Sequence, residues 1–233
     1  MAVIRFFDNE VFTTDSQEYE ILENAVKQIK GVEGAVVEIG TRRGGSAKLI
    51  IDTLTANEDT DRSMFCLDPY GNIELECTNI NMKVHYNAVF EDGVDPMSKE
   101  QTVKARFDYD NNMRNTIIPS LYFCAYRAGL NFSFFCMEDT EFFNRFADGV
   151  PVYDQFKRYE NNYALVFFDG PHTNEAVKTE LEFFEPRTKK GAIFIMDDVW
   201  MLEHDKIVEQ FLFDRGWKVL EKKNIKASYI KNI

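Results

Sequence analysis

The sequence is poor in paired cysteine. Its four cysteines, Cys66, Cys77, Cys124 and Cys136, lie far apart, with no C-x-x-C pair and no zinc-like spacing. That excludes a disulfide scaffold and a structural zinc site as organising principles. Cys66 and Cys136 fall inside apolar runs ("MFCLD", "FSFFCME"), where cysteine behaves as a small buried hydrophobe. The expectation is a reduced, cytoplasmic protein. Basic residues are also scarce, 27 Lys and Arg against 39 Asp and Glu, for a formal charge of -12. Nucleic-acid affinity rests mostly on cations that displace counterions, so a phosphate backbone is not an expected partner. A basic membrane-binding patch is not expected on the same ground. No apolar run is long enough to span a bilayer, and "MAVIRFFDNE" turns acidic before a signal-peptide core could develop. Repeats, low-complexity tracts and Gly/Ser linkers are absent too, so one domain over 1–233 is expected.

What is present is an alternation of strand and helix. Residues 18–31 carry a helical stripe of Ile21, Leu22, Ala25, Val26 and Ile29 that closes on Gly31. "AVVEIG" (35–40) follows as a short apolar run, then a Gly-rich turn, then a helix over 46–54 opened by Ser46. Further near-continuous apolar runs occupy 64–68, 131–137, 164–169 and 192–197. Strands covered by helices on both faces of a parallel sheet read this way. Helical patterns fill 140–146, 174–184 and 205–216, and "WKVLEKK" and "KASYIKN" read as two strands joined by a tight turn. The fold class is therefore α/β, a doubly wound, mostly parallel Rossmann-like sheet with an antiparallel C-terminal strand pair. A helical extension occupies about 1–34. The insertion over about 70–130 breaks the rhythm with an acidic stretch and a helix containing Pro119, and is read as a lid or substrate region. Residues 148–162 form a second candidate lid.

In such sheets ligands bind beyond the carboxyl ends of the strands. The first strand runs into "EIGTRRGGS", where Gly40 permits a sharp turn, Gly44 and Gly45 leave room for a ligand, and the helix beginning at Ser46 offers free N–H donors. A dinucleotide fingerprint would place glycine where Arg42 stands, which disfavours NAD. Asp68 closes the second strand and can accept hydrogen bonds from ribose hydroxyls. The last two parallel runs end on Asp169 and on Asp197–Asp198. Three carboxylates on neighbouring strands, about 4.8 Å apart, repel one another unless a cation sits among them, and a hard divalent ion suits oxygen ligands.

"VVEIGTRRGGS", "FCLDPYG" and "FFDGPHTNEAVKTELEFFEPRTKKGAIFIMDD" resemble the class I S-adenosylmethionine-dependent methyltransferases, specifically the macrocin O-methyltransferase-like group, from about Glu33 to Val199. The resemblance implies that Glu38, Gly40 and Gly44 line the methionine end of S-adenosylmethionine, that Asp68 holds its ribose and that Asp139 lies by the adenine. Asp139 reads equally well as a helix cap. It further implies a divalent metal, Mg²⁺ or Ca²⁺, on Asp169, Asp197 and Asp198, and His172 as the base that removes the acceptor's hydroxyl proton. The implied acceptor is a small molecule, a sugar or polyol hydroxyl, and homo-oligomerisation stays open. A metal-independent methyltransferase and a non-catalytic cofactor-binding domain stand as alternatives. His85 and His204 receive no role and are expected to be solvated.

Overall fold

The computed structural model of the protein describes residues 11–14, 16–70, 75–76, 83–84, 111–171, 173–201 and 203–233. Seven strands form one sheet: β1 (Ala35–Ile39), β2 (Ser63–Leu67), β5 (Asn131–Phe135), β8 (Tyr163–Phe168), β9 (Ile193–Met196), β10 (Trp217–Lys222) and β11 (Ala227–Lys231). Their order is β10-β11-β9-β8-β1-β2-β5. The pairs from β9 to β5 are parallel, while β11 is antiparallel to both β9 and β10. The doubly wound sheet and its antiparallel C-terminal pair are those read from the sequence.

Both faces of the sheet are apolar, as the near-continuous runs require. Val36, Met64 and Cys66 face the side covered by α1 (Tyr19–Gln28), α2 (Gly45–Ala56) and α3 (Asn111–Ala128). Val37, Ile39, Phe65 and Leu67 face the side covered by α4 (Asp139–Arg145), α5 (Asn174–Phe184) and α6 (Gln210–Phe213). α5 begins at the predicted residue because Thr173 caps it, its side chain accepting from the Ala176 N–H at 3.1 Å. Pro119 sits inside α3 without ending it.

The structure departs from the sequence reading in several places. Residues 148–162 are not a lid: β6 (Val150–Tyr153) and β7 (Lys157–Glu160) form a hairpin that leads into the start of β8. Arg158 donates to Ser63 Oγ at 3.1 Å, at the amino end of β2, so the hairpin lies at the end of the sheet away from the crevice. The predicted helix over 205–216 begins as a π-helical turn, Asp205–Glu209, before α6. His204 is buried rather than solvated, with Nε2 at 2.5 Å from the Tyr229 hydroxyl, and burial pushes its imidazole down to about 4. Of the 70–130 insertion, the described parts are a two-stranded pair, β3 (Leu75–Glu76) and β4 (Lys83–Val84), and α3; the rest, with Cys77 and His85, lies outside the described residues. No helix among the described residues is long and apolar enough to cross a membrane.

Aromatic packing concentrates under α5. The Phe184 ring meets Phe143, Tyr163, Phe168 and Phe183 at centroid distances of 5.5, 4.9, 5.9 and 5.0 Å. Phe184→Ala is expected to lower stability by about 3–5 kcal/mol. Urea unfolding should show this as a lower midpoint at constant slope, and a loss under about 1 kcal/mol would show that these contacts do not carry the α5 face.

Candidate active site

The strand order reverses direction between β1 and β8, and the carboxyl ends of these two strands meet. The Asp169 N–H donates to the Ile39 carbonyl at 3.0 Å, which carries the pairing one residue past β8. Gly40 then turns away at φ 84°, a left-handed value. A methyl group on Gly40 would stand 1.9 Å from the Asp169 carbonyl oxygen, so no other residue fits there. The predicted need for glycine at this turn is met, and its partner is backbone.

Glu38 and Asp68 flank that turn, both buried. Glu38 pairs in register with Cys66, whose thiol donates to Glu38 Oε2 at 3.4 Å. Burial pushes the Glu38 carboxyl up to about 7, against the opposing effect of Ser46, Thr41 and Cys66, with a further rise from the charge of Asp68. Among the described residues Glu38 Oε1 finds no partner within hydrogen-bonding geometry. Asp68 accepts the Arg42 N–H on Oδ2 at 2.8 Å and the Tyr70 N–H on Oδ1 at 2.9 Å, and the Tyr70 hydroxyl donates to the Arg42 carbonyl at 2.6 Å. Burial still pushes the Asp68 carboxyl up to about 6. Asp68 thus ties the loop after β1 to the loop after β2, and each of its oxygens keeps a second lone pair for a ligand.

Gly44 does less for a ligand than its sequence context suggests. It stands at the N-cap of α2 with φ 71°, and the space beside it is filled by Phe12 and Ile117. Thr13 bridges to Gly44, and the Thr13 carbonyl fills the space beside Gly45. The room at this glycine pair is taken by the chain's own N-terminal segment.

Asp139 is the first residue of α4 and buried. Its Oδ1 accepts the Thr140 N–H at 2.7 Å, but the N-cap position is Glu138, without a side-chain cap bond, so Asp139 is not the cap that the sequence reading offered as an alternative. Glu180 of α5 lies beside it, and burial raises both carboxyls above their ordinary values, with the charge of Asp139 adding to the rise at Glu180. Glu180 was missed in the sequence. Its signal was position, because it falls with Val177, Leu181 and Phe184 on the buried face of α5.

The acids that end β8 and β9 are neighbours in the sheet, Asp197 donating its N–H to the Phe168 carbonyl at 2.9 Å. They do not form the expected chelate. Among the described residues no three His, Cys, Asp or Glu side chains gather closely enough to hold a metal ion. The cation beside Asp197 is Lys226, at 2.8 Å from Oδ1, with both side chains buried. Asp198 adopts φ 46° and accepts from the Trp200 indole N–H at 3.2 Å. The fit to a divalent ion therefore fails at Asp197, whereas the desolvated acceptors of Glu38 and Asp68 fit a ligand that brings positive charge and hydroxyl donors. His172, expected as the base, lies outside the described residues.

The family model for a methyltransferase domain matches residues 37–199, more than half of the 233-residue chain. A search of curated protein sequences finds no match. Among solved structures the chain is similar to the O-methyltransferase NovP, with a TM-score of 0.58 and 18% identity over 92% of this chain and 79% of that one. It is similar also to the calicheamicin methyltransferase CalS11, at 0.55 and 16% over 90% and 77%. The O-methyltransferase TomG from Streptomyces achromogenes, solved with SAM, matches at 0.52 and 10% over 95% and 82%. The matched span takes in the Gly40 turn, Asp68 and the acid-ended strands β8 and β9, and on that ground the chain belongs to the methyltransferase-domain family, built on the class I methyltransferase fold.

Proposed function

We propose that the protein is an S-adenosylmethionine-dependent O-methyltransferase acting on a hydroxyl of a sugar or other small molecule. The observation that carries this reading is the pair of desolvated carboxylates, Glu38 and Asp68, on either side of the Gly40 turn at the head of the sheet. Glu38 would face the cationic methionine end, Asp68 the ribose, and Asp139, braced by Glu180, the adenine. When bound, S-adenosylmethionine supplies a sulfonium methyl that passes to the acceptor oxygen, leaving S-adenosylhomocysteine. Asp169 holds the acceptor side of the crevice, and His172, three residues on, takes the hydroxyl proton as the methyl–oxygen bond forms. Orientation of the two reactants is the chain's main contribution. The whole chain acts as one catalytic unit, with the 70–130 insertion facing the acceptor. A net charge of -12 supports a neutral acceptor over a polyanion.

Metal assistance through Asp169, Asp197 and Asp198 is the second reading, supported by three acids on adjacent strand ends. The Lys226 contact weighs against it, and no step is assigned to an ion.

Glu38 and Asp68 give the reading a pH signature. Both carboxyls are raised by burial, from ordinary values of 4.5 and 3.8 to about 7 and about 6. Between those limits the folded protein holds protons that the unfolded chain has released, so stability of the ligand-free protein should fall as pH rises from about 4 to 7. A ligand carrying positive charge needs the ionised carboxylates. Donor affinity, measured by calorimetry, is therefore expected to rise at least about tenfold between pH 5.5 and 8, and an affinity that is flat or falls over this range contradicts the assignment of Glu38.

Substitution separates the two halves of the site. Asp169→Ala is expected to cut release of S-adenosylhomocysteine about 100-fold or more in an acceptor screen, with donor affinity nearly unchanged. Asp68→Ala is expected to lose donor binding first. Full turnover by the Asp169 variant would remove that residue from the mechanism.

A further inference from the structure

The Lys226 ammonium is wholly buried and Asp197 is 2% exposed. Lys226 immediately precedes β11, whose Ala227 pairs with Met196 of β9, so it stands across from Asp197 at the carboxyl end of that strand. Three donors converge on Asp197 Oδ1: Lys226 Nζ at 2.8 Å, the Ser16 hydroxyl at 3.1 Å and the Asp198 N–H at 2.8 Å. Lys226 Nζ also donates to Ser16 Oγ at 2.6 Å and lies over the Tyr19 ring at 4.6 Å.

The lysine is held from behind as well. The Glu18 carboxylate accepts the N–H groups of Asn224, Ile225 and Lys226 at 3.2, 2.9 and 3.0 Å. The Val199 N–H donates to the Ile225 carbonyl at 3.0 Å, closing the turn against the chain that leaves β9. An ammonium so enclosed has no solvated rotamer to retreat to.

We propose that Lys226 is the built-in cation of the acid-ended strands: it takes the place that a divalent ion would fill beside Asp197, and so makes this end of the site independent of added metal. The proposal rests on the methyltransferase reading for its setting. Its own ground is the contact geometry. Asp197 Oδ2 is buried and has no partner among the described residues. A divalent ion bound there at the usual ~2 Å would stand within about 7 Å of the ammonium. Two positive centres that close, with water excluded, repel strongly. The lysine thus occupies one oxygen of Asp197 and bars a second cation from the other. It acts as a positioning residue, through Asp197.

The test is Mn²⁺ binding to the full chain, followed by electron paramagnetic resonance after chelation and dialysis. The wild-type protein is expected to leave Mn²⁺ free at millimolar concentration. Lys226→Met, which removes the ammonium from Asp197, is expected to gain affinity at least tenfold, and Lys226→Arg to stay metal-free. Binding to wild type that Asp197→Asn abolishes would overturn the proposal. A folded Lys226→Met variant with no gain would overturn it as well, since the ammonium would then not be what keeps the ion out. Should Lys226→Met fail to fold, Lys226→Gln, which keeps a donor toward Ser16 and Asp197, takes its place. S-adenosylhomocysteine titrated into the same wild-type samples reads the methyltransferase assignment separately: its failure to bind counts against that function, whatever Mn²⁺ does.

Discussion

At the head of the sheet the backbone of Gly40 passes the carbonyl of Asp169 with no space for a side chain between them. This single close approach fixes where β1 ends relative to β8, and the register of the other parallel strands follows from the ladder. Glu38 and Cys66 share a register, as do Glu38 and Phe167. Loosening the passage would shift Glu38, Asp68 and Asp169 relative to one another. The positions of the chemical groups are thus set by backbone contact, and the side chains inherit them.

Charge burial is handled in three ways around that head. Glu38 is desolvated and poorly partnered, so it carries a raised proton affinity. Asp139 and Glu180 are neighbouring buried acids, and burial raises the proton affinity of both. Asp197 is matched by a lysine. A buried ion pair contributes less to net stability than its Coulomb attraction suggests, because both groups give up hydration. Its effect is on arrangement: it makes one geometry much better than its neighbours. The head of the sheet therefore holds a desolvated single acid, two neighbouring buried acids and a locked ion pair, in that order from β1 to the two flanks.

Much of this was legible in the sequence, for identifiable reasons. The buried strands announce themselves as unbroken apolar runs, and α5 was placed to the residue by its helical pattern over 174–184, which the Thr173 cap seen in the structure secures. Gly40, Asp68 and the acid-ended strands were readable because strand ends are where ligands meet such sheets. What escaped was long-range. Lys226 lies 29 residues from Asp197, and no local pattern ties them. The glycines at 44 and 45 looked like room for a ligand, yet Phe12 and Thr13 fill it, a contact between segments about thirty residues apart. The β6–β7 hairpin hid because its strand Lys157–Glu160 is mostly charged and half exposed, with none of the apolar alternation that marks a strand. His204 looked like a surface histidine because its neighbours are charged, while the Tyr229 hydroxyl that receives it is 25 residues away.

The N-terminal segment has a consequence for how the chain assembles. Thr13 lies on the turn before α2, Ser16 on Asp197 and Lys226, and Glu18 on the backbone of Asn224 to Lys226. The separations run to 210 residues. Contacts of such span close late in folding, because the loop between them must be ordered first. During synthesis this segment waits for the turn that precedes β11 before it finds its partners. The Asp197–Lys226 lock is then among the last parts of the molecule to form, and an incomplete chain exposes Asp197 without the lysine that belongs beside it.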